Sequence, residues 1–236
     1  MPERFPNVPS PFQHLSLVQK AALYDKAASF FSENKQALFD RLAPLRTRHI
    51  SVVLEDIYQS HNAAAVLRSC DCFGVQDVHV VEVNNSFVPA GDVAVGSAKW
   101  VDYYRHKSIK DTYDYLHKQG YRIVATLPHE NDCFISDLDI KTPTALVFGT
   151  ELTGLTPEAI SGADAYVKIP MYGFTESFNI SVCAALSLFH LTERMRADSG
   201  IKWQLDEDSL LDLKLHWATQ AIKDGDRVMN ELLKNI

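Results

Sequence analysis

From Ile50 onward, short apolar runs alternate with amphipathic stretches, and this alternation is what most limits the folds open to the chain. Ile50–Leu54 reads as a strand, and His61–Phe73 as a helix stopped by Gly74. Val78–Val83 reads as a strand, and Ile109–Gln119 as a helix with Gly120 behind it. Tyr121–Thr126 and Thr144–Phe148 follow as strands, the second ending at Gly149. Pro157–Ile160 starts a short helix, Ala165–Ile169 is a strand, and Asn179–Arg196 is a helix. Repeated strand, helix, strand predicts an α/β domain with a mostly parallel sheet.

The flanks read differently. Residues 1–12 hold Pro2, Pro6, Pro9 and Pro11 and read as an irregular arm. Leu17, Ala21, Tyr24, Ala28 and Phe31 recur at spacings of three and four, which predicts one helix from Leu15 to Leu42, ended by Pro44. In the tail, Leu211, Leu215, Ala218 and Ile222 sit at helical spacing behind Asp206 or Asp208 as a cap, with a break near Gly225. This gives an N-terminal arm and helix (1–47), a central domain (48–198) and a helical tail (199–236).

With 236 residues, 46% hydrophobic and 22% charged, the chain can bury a core of its own, and disordered, collagen-like and low-complexity classes are excluded. The longest apolar stretches, such as Val182–Leu186, fall far short of the roughly 20 residues that span a bilayer. Met1-Pro2-Glu3-Arg4 opens no apolar signal segment. Cys70, Cys72, Cys133 and Cys183 are then expected as free thiols in a cytoplasmic protein.

The net charge is −7, but it is unevenly spread. Residues 1–50 carry 7 Lys and Arg against 4 Asp and Glu, whereas residues 51–198 carry 11 against 19. The N-terminal segment is the basic part, with Arg41, Arg46, Arg48 and His49 gathered at its end. That cluster suits either a phosphate-binding patch or a solvated helix end.

In parallel α/β sheets, ligands collect beyond the carboxyl ends of the strands. Three loops there are rich in small and polar residues. Ser60-His61-Asn62-Ala63-Ala64-Ala65-Val66-Leu67-Arg68 opens a helix. Arg68 in it reads either as a snorkelling surface residue or as a guanidinium fork aimed at a phosphate or carboxylate. Phe148-Gly149-Thr150-Glu151-Leu152-Thr153-Gly154-Leu155-Thr156 places a carboxylate between two glycines after a buried strand. It is neither G-x-G-x-x-G nor the phosphate loop G-x-x-x-x-G-K-[ST], which lowers dinucleotide and nucleotide-triphosphate readings. In the third, Ile169–Val182, Ser177 and Asn179 stand at a helix start, where either suits an N-cap. Cys70 and Cys72 point about 160° apart on a helix, and no His/Cys/Asp cluster has zinc spacing, so no metal site is expected. His61 is kept because it adjoins Asn62.

Together the three loops resemble the signature motifs of the SpoU/TrmH family of RNA ribose 2′-O-methyltransferases. Asn62, Ala65, Arg68, Ser69 and Gly74 match N-x-x-A-x-x-R-(S/T)-x-x-x-x-G. Leu146–Thr156 is similar to the F-G-x-E-x-x-G-(L/V) motif, and Ile169–Ala184 to the I-P-M…S-x-N-(I/V)-S-V-A run, with Cys183 as a small departure. The resemblance covers roughly residues 45–196. Ser60-His61-Asn62, Gly96–Val101 and Gly120–Thr126 look like the transfer-RNA branch, which methylates a guanosine in the tRNA D-loop.

The resemblance implies an α/β parallel-sheet SPOUT domain whose C-terminal segment threads a deep trefoil knot, with N- and C-terminal helical extensions. The un-knotted rule alone would give an open sheet. It further implies S-adenosylmethionine held by Thr126, Leu127, Phe148, Gly149, Gly154, Ile169, Met171 and Ile180, and a homodimer whose first motif completes the site across the interface. Arg68 is then the catalytic residue, with Asn62, Glu151, Ser177 and Asn179 around it, and Arg41, Arg46, Arg48 and His61 become RNA contacts. A guanidinium is a poor base. Two roles stay open for Arg68: transient deprotonation by an RNA phosphate, or holding a phosphate and stabilising developing alkoxide charge, which the energetics favour. The alternatives are an rRNA 2′-O-methyltransferase and a non-catalytic RNA-binding scaffold.

Overall fold

The computed structural model describes residues 3–5, 12–57, 59–84, 96, 99–128, 133–234 and 236. Pro2, Pro6, Pro9 and Pro11 of the arm, and Ser97 and Ala98 of the tRNA-branch stretch, lie outside the described residues. The chain divides into two compact units, one of residues 1–7 and 48–203, the other of residues 8–47 and 204–236.

The first unit is built on an eight-stranded sheet. Its strands are β1 (Glu3–Phe5), β2 (Ile50–Glu55), β3 (Asp77–Val81), β4 (Asp102–His106), β5 (Arg122–Thr126), β6 (Cys133–Phe134), β7 (Thr144–Phe148) and β8 (Ala165–Lys168). They lie in the order β1-β4-β3-β2-β7-β5-β8-β6, and every pairing is parallel except β1 with β4. Glu3–Phe5, expected as part of an irregular arm, is thus an edge strand. β4 and β6 carry no apolar alternation strong enough to announce them: the first is Asp-Tyr-Tyr-Arg-His and the second is two residues long.

Side chains on one strand point alternately to the two faces. Ile50, Val52 and Leu54 of β2, with Leu146 and Phe148 of β7, join the core under helices α3 (Ser60–Phe73) and α6 (Ile180–Ala197). Val53, Ala145, Val147, Ile123 and Ala125 join the opposite core, beneath α4 (Ile109–Lys118) and α5 (Pro157–Gly162). β2 and β7 are fully buried on both faces, which is why they read as mostly apolar runs without alternation. Each helix start has a local cause. Ser108 caps α4, Thr156 caps α5 and Asn179 caps α6, each accepting a backbone N–H, worth roughly 1 kcal/mol apiece. Gly74 ends α3 with φ +76°, a conformation that other residues adopt only with strain.

The second unit is helical. The single helix expected over 15–42 is two: α1 (Leu17–Ala28), started by a Ser16/Gln19 capping box, and α2 (Glu33–Leu42). Ser29 and Ser32 flank the break, and Pro44 falls inside a 3-10 turn, Ala43–Leu45. Asp206 caps α7 (Glu207–Ala221), and α8 (Gly225–Leu233) follows a break at residues 222–224. Segments read as separate N- and C-terminal extensions therefore fold together. Leu23, Phe39, Leu213 and Trp217 are buried in this unit, and the buried Lys20 ammonium is held by Asp208 (2.7 Å) and Asp212 (3.1 Å). Among the described residues no helix is long and apolar enough to cross a membrane.

Candidate active site

The site lies at the carboxyl ends of β2, β5, β7 and β8, where the parallel topology gathers the connecting loops. Three of these loops meet through hydrogen bonds. Asn62, in the first turn of α3 and only 3% exposed, donates from Nδ2 to Glu151 Oε1 at 2.7 Å and to Gln59 Oε1 at 2.9 Å. Asn179 Nδ2 donates to the same Glu151 oxygen and, at 3.3 Å, to Asn62 Oδ1. Asn179 Oδ1 accepts from Ser181 N (2.8 Å) and Ser181 Oγ (2.6 Å), so its capping role and its place in the site coexist. Residues 62, 151 and 179, one from each sequence motif, thus form one network.

The loop carrying Glu151 is closed on itself. Thr150 and Gly154 exchange two backbone hydrogen bonds of 3.0 Å, and the Thr150 and Thr153 hydroxyls lie 2.7 Å apart. A Cβ on Gly149 would stand 2.3 Å from the Gly154 carbonyl, so no other residue fits there without moving the backbone.

Behind this network is a cavity of about 370 Å³. Thr126, Leu127, Phe148, Gly149, Gly154, Ile169, Met171 and Ile180 all line it, as do Glu151 and Ser177. Its wall residues are held to main-chain carbonyls: Thr126 Oγ1 donates to the Val147 carbonyl (2.8 Å), and Leu127 N–H to the Val167 carbonyl (3.0 Å). Sequence reasoning missed Pro128, Ile135 and Val167 on the wall. It also missed Gln59, the second partner of Asn62. Cys183 lines the cavity too, and burial pushes its thiol up to about 11, which leaves it a protonated, unreactive wall residue at neutral pH.

Arg68 lies on α3 six residues beyond Asn62, about 9 Å further along the axis and about 120° around it, and its side chain is exposed. His61 and Arg41 are also exposed. Two expected RNA contacts are corrected. Arg46 is 4% exposed, with its guanidinium 5.5 Å from the centre of the Trp217 ring, so a backbone phosphate has no access to it. Arg48 is bound to Asp77 and, at 2.7 Å, to Asp102, whose carboxylates take up the guanidinium fork that a phosphate would need. Both arginines serve packing and charge balance. Among the described residues no group of three His, Cys, Asp or Glu side chains is placed to hold a metal ion.

The chain is similar to known proteins. A tRNA (guanosine(18)-2′-O)-methyltransferase from Borreliella burgdorferi is 40% identical over 203 residues, covering 86% of this chain and 93% of the relative. The crystal structure of an A. aeolicus TrmH/SpoU tRNA modifying enzyme superposes with a TM-score of 0.73 at 25% identity, over 81% of this chain and 98% of that one. The SpoU methyltransferase AviRb from Streptomyces viridochromogenes, solved in complex with AdoMet, shares the fold with a TM-score of 0.60 at 24% identity, over 67% of this chain and 65% of that one. The profile of the SpoU rRNA Methylase family matches residues 49–189, the stretch that holds all three networked side chains and the cavity behind them. On these grounds the chain belongs to the SpoU rRNA Methylase family.

Proposed function

We propose that this protein methylates the ribose 2′-hydroxyl of a guanosine in the D-loop of tRNA, using S-adenosylmethionine, as a homodimer in the cytoplasm. The observation that carries the reading is the network of Asn62, Glu151 and Asn179, whose Glu151 also lines a cavity of about 370 Å³. A volume of about 370 Å³ lies within the usual range for small-ligand pockets. Its donor set suits the group: Leu127, Phe148, Met171 and Ile180 offer apolar wall to an adenine ring, and the Gly149–Gly154 backbone offers hydrogen bonds to its polar edges. When bound, the cofactor supplies an electrophilic methyl group.

The chain's own residues then have three tasks. The first is placement, because the ribose oxygen must come within about 3–3.5 Å of the methyl carbon and in line with the bond that breaks. Both amide hydrogens of Asn62 are engaged by Gln59 and Glu151, and Asn179 is held by Glu151, Asn62 and Ser181, so these amides position the site. The second is charge. Asn62 and Asn179 both donate to Oε1 of Glu151, and its other oxygen is the one this reading assigns to a substrate hydroxyl or an arginine. Ser177, beside it on the cavity wall, offers a further hydroxyl. The third is stabilising the oxygen as its proton leaves. Arg68 does this from the partner protomer, holding a phosphate and the developing alkoxide charge. Dimerisation is supported by Val182, Leu186 and Phe189, which stay exposed at helical spacing on α6. His61 and Arg41 are exposed and reach RNA phosphates. The knot belongs to the same reading, since the loops after β7 and β8 and the start of α6 enclose one cavity.

The test is incubation with labelled S-adenosylmethionine and, separately, unmodified tRNA and rRNA fragments. Label recovered in tRNA as 2′-O-methylguanosine, and lost with Arg68→Ala, supports the proposal. Label in rRNA alone moves the substrate and keeps the chemistry. No label and no thermal shift with the cofactor leaves an RNA-binding scaffold.

A further inference from the structure

Glu55 is the last residue of β2 and is 2% exposed, with no part in the Asn62 network. Its carboxylate receives two hydrogen bonds from one residue: Thr156 N–H to Oε2 at 2.9 Å and the Thr156 hydroxyl to Oε1 at 2.6 Å. A carboxylate in the interior is costly unless its oxygens are satisfied. Capping α5 does not call for it, because Thr156 already caps that helix by accepting the Ala159 N–H at 3.1 Å. The extra tie needs another explanation.

The position of Thr156 supplies one. The loop that closes over the cavity leaves the sheet at Phe148, which pairs with Leu54 in the β2–β7 register. It returns at Thr156, which is bound to the next residue of the same strand, Glu55. Both feet of the loop are therefore fixed to two consecutive residues of β2. Between them lie Gly149, Glu151 and Gly154, all on the cavity wall. Among the described residues no strand pairing holds the return foot; Leu155 packs into the core beside it, and the Glu55 carboxylate is its hydrogen-bonded link to the sheet.

We infer that Glu55 is a positioning residue for the cofactor: by anchoring Thr156 to β2 it sets the height of the Gly149–Leu155 backbone above the cavity, and with it the placement of Glu151. This rests on the S-adenosylmethionine reading above. It distinguishes Glu55 from a merely structural buried acid, because its loss acts on one loop and not on the whole sheet.

The experiment uses full-length protein with three changes. Glu55→Gln weakens the two-bond anchor, Thr156→Val removes the hydroxyl from the other side, and Thr156→Ser restores it. Ser51→Ala is the control; it removes a hydrogen bond to the Asp77 carbonyl (3.0 Å) at the opposite end of the same strand. Two readouts are taken: amide hydrogen exchange of residues 150–156 without cofactor, and calorimetric affinity for S-adenosylhomocysteine. Expected are exchange faster by about tenfold or more in that loop and affinity about tenfold weaker in Glu55→Gln and Thr156→Val. The effects in the double variant should be less than additive, Thr156→Ser should be near wild type, and Ser51→Ala should change neither readout. With substrate, the KM for the methyl donor should rise more than kcat falls. Unchanged exchange in the loop overturns the anchor. Faster exchange with undiminished affinity overturns the link to the cofactor. A wild-type protein that binds no S-adenosylhomocysteine while Glu55→Gln still loosens the loop overturns the cofactor reading itself.

Discussion

The two ends of the sheet carry similar residues and use them in opposite ways. At the amino ends of the strands, Arg48 is bound to Asp77 and Asp102, and the Tyr121 hydroxyl donates to the Arg48 carbonyl. Burial alone would loosen the hold of Arg48 on its proton, but Asp102 outweighs it and raises the pKa. Further along the same two strands, β3 and β4, His79 Nδ1 and His106 Nε2 lie 3.0 Å apart, both buried. Arg48, Asp77 and Asp102 thus each have a charged partner. At the carboxyl ends, Glu151 and Asn179 are exposed, the Glu151 bonds gather on one oxygen, and a cavity opens behind them. A closed polar network stabilises, whereas a network with exposed members and adjoining space can receive a ligand. The difference lies in which groups are left with capacity to bond, not in how many charged residues each end holds.

That contrast can be broken most sharply at Arg68. Arg68→Ala should lower methyl transfer to tRNA by on the order of 10³-fold, while its melting curve stays within the small range of exposed substitutions. A parallel loss of stability would mean that the helix, and not the chemistry, had been changed. Arg48→Ala is the reverse experiment. It leaves Asp77 and Asp102 buried without their cation, and should cost about 3–5 kcal/mol in urea unfolding. The fraction that remains folded should turn over at the wild-type rate, and a specific loss of kcat would show that the two ends are coupled.

A pH series tests the buried polar groups of β3 and β4 without mutation. Burial lowers the pKa of His79 well below its ordinary 6.5, with His106 and Arg48 adding to the effect, and burial lowers that of His106 to about 4. In the unfolded chain both imidazoles take up a proton near 6.5, so below that pH the unfolded state binds more protons. Stability should be full above pH 6.5 and fall as the pH drops toward about 4, by on the order of 3 kcal/mol for His106 alone. Urea midpoints that stay level from pH 7 to 4 would contradict buried neutral imidazoles. The smallest effect is expected at Arg41, exposed in the last turn of α2. Arg41→Ala should weaken tRNA binding a few-fold and lower its salt slope by about one, without discriminating among tRNA sequences. Arg46→Lys, made as a comparison, should leave that slope alone, because Arg46 is packed on Trp217.

How far the site could be read in the sequence follows from the range of the forces involved. Asn62, Glu151 and Asn179 were identifiable because each stands at a strand–loop–helix boundary with small residues around it. Gln59 and Glu55 were not, since a Gln before a helix and a Glu at the end of an apolar strand have ordinary local explanations. Arg46 and Arg48 misled for the same reason. A basic cluster looks alike on paper whether its members face water or meet Trp217 and Asp102 from distant segments.

The strands β2, β5 and β7, the helices between them and the break at Gly74 were determined by the sequence alone. Hydrophobic periods of two and 3.6, caps and positive φ are local properties, satisfied by neighbours within a few residues. The tertiary structure decided what lies far apart along the chain. Residues 62 and 179, 117 positions apart, share a hydrogen bond only because β2, β7 and β8 end at the same edge of the sheet. The polar strand β4 exists because β3 and β1 offer it ladders on either side, not because its own residues demand them. Residues 8–47 and 204–236 make one unit because neither can bury its apolar stripe alone. Such pairings depend on which surfaces meet when the chain closes, and no local pattern of residues contains that information.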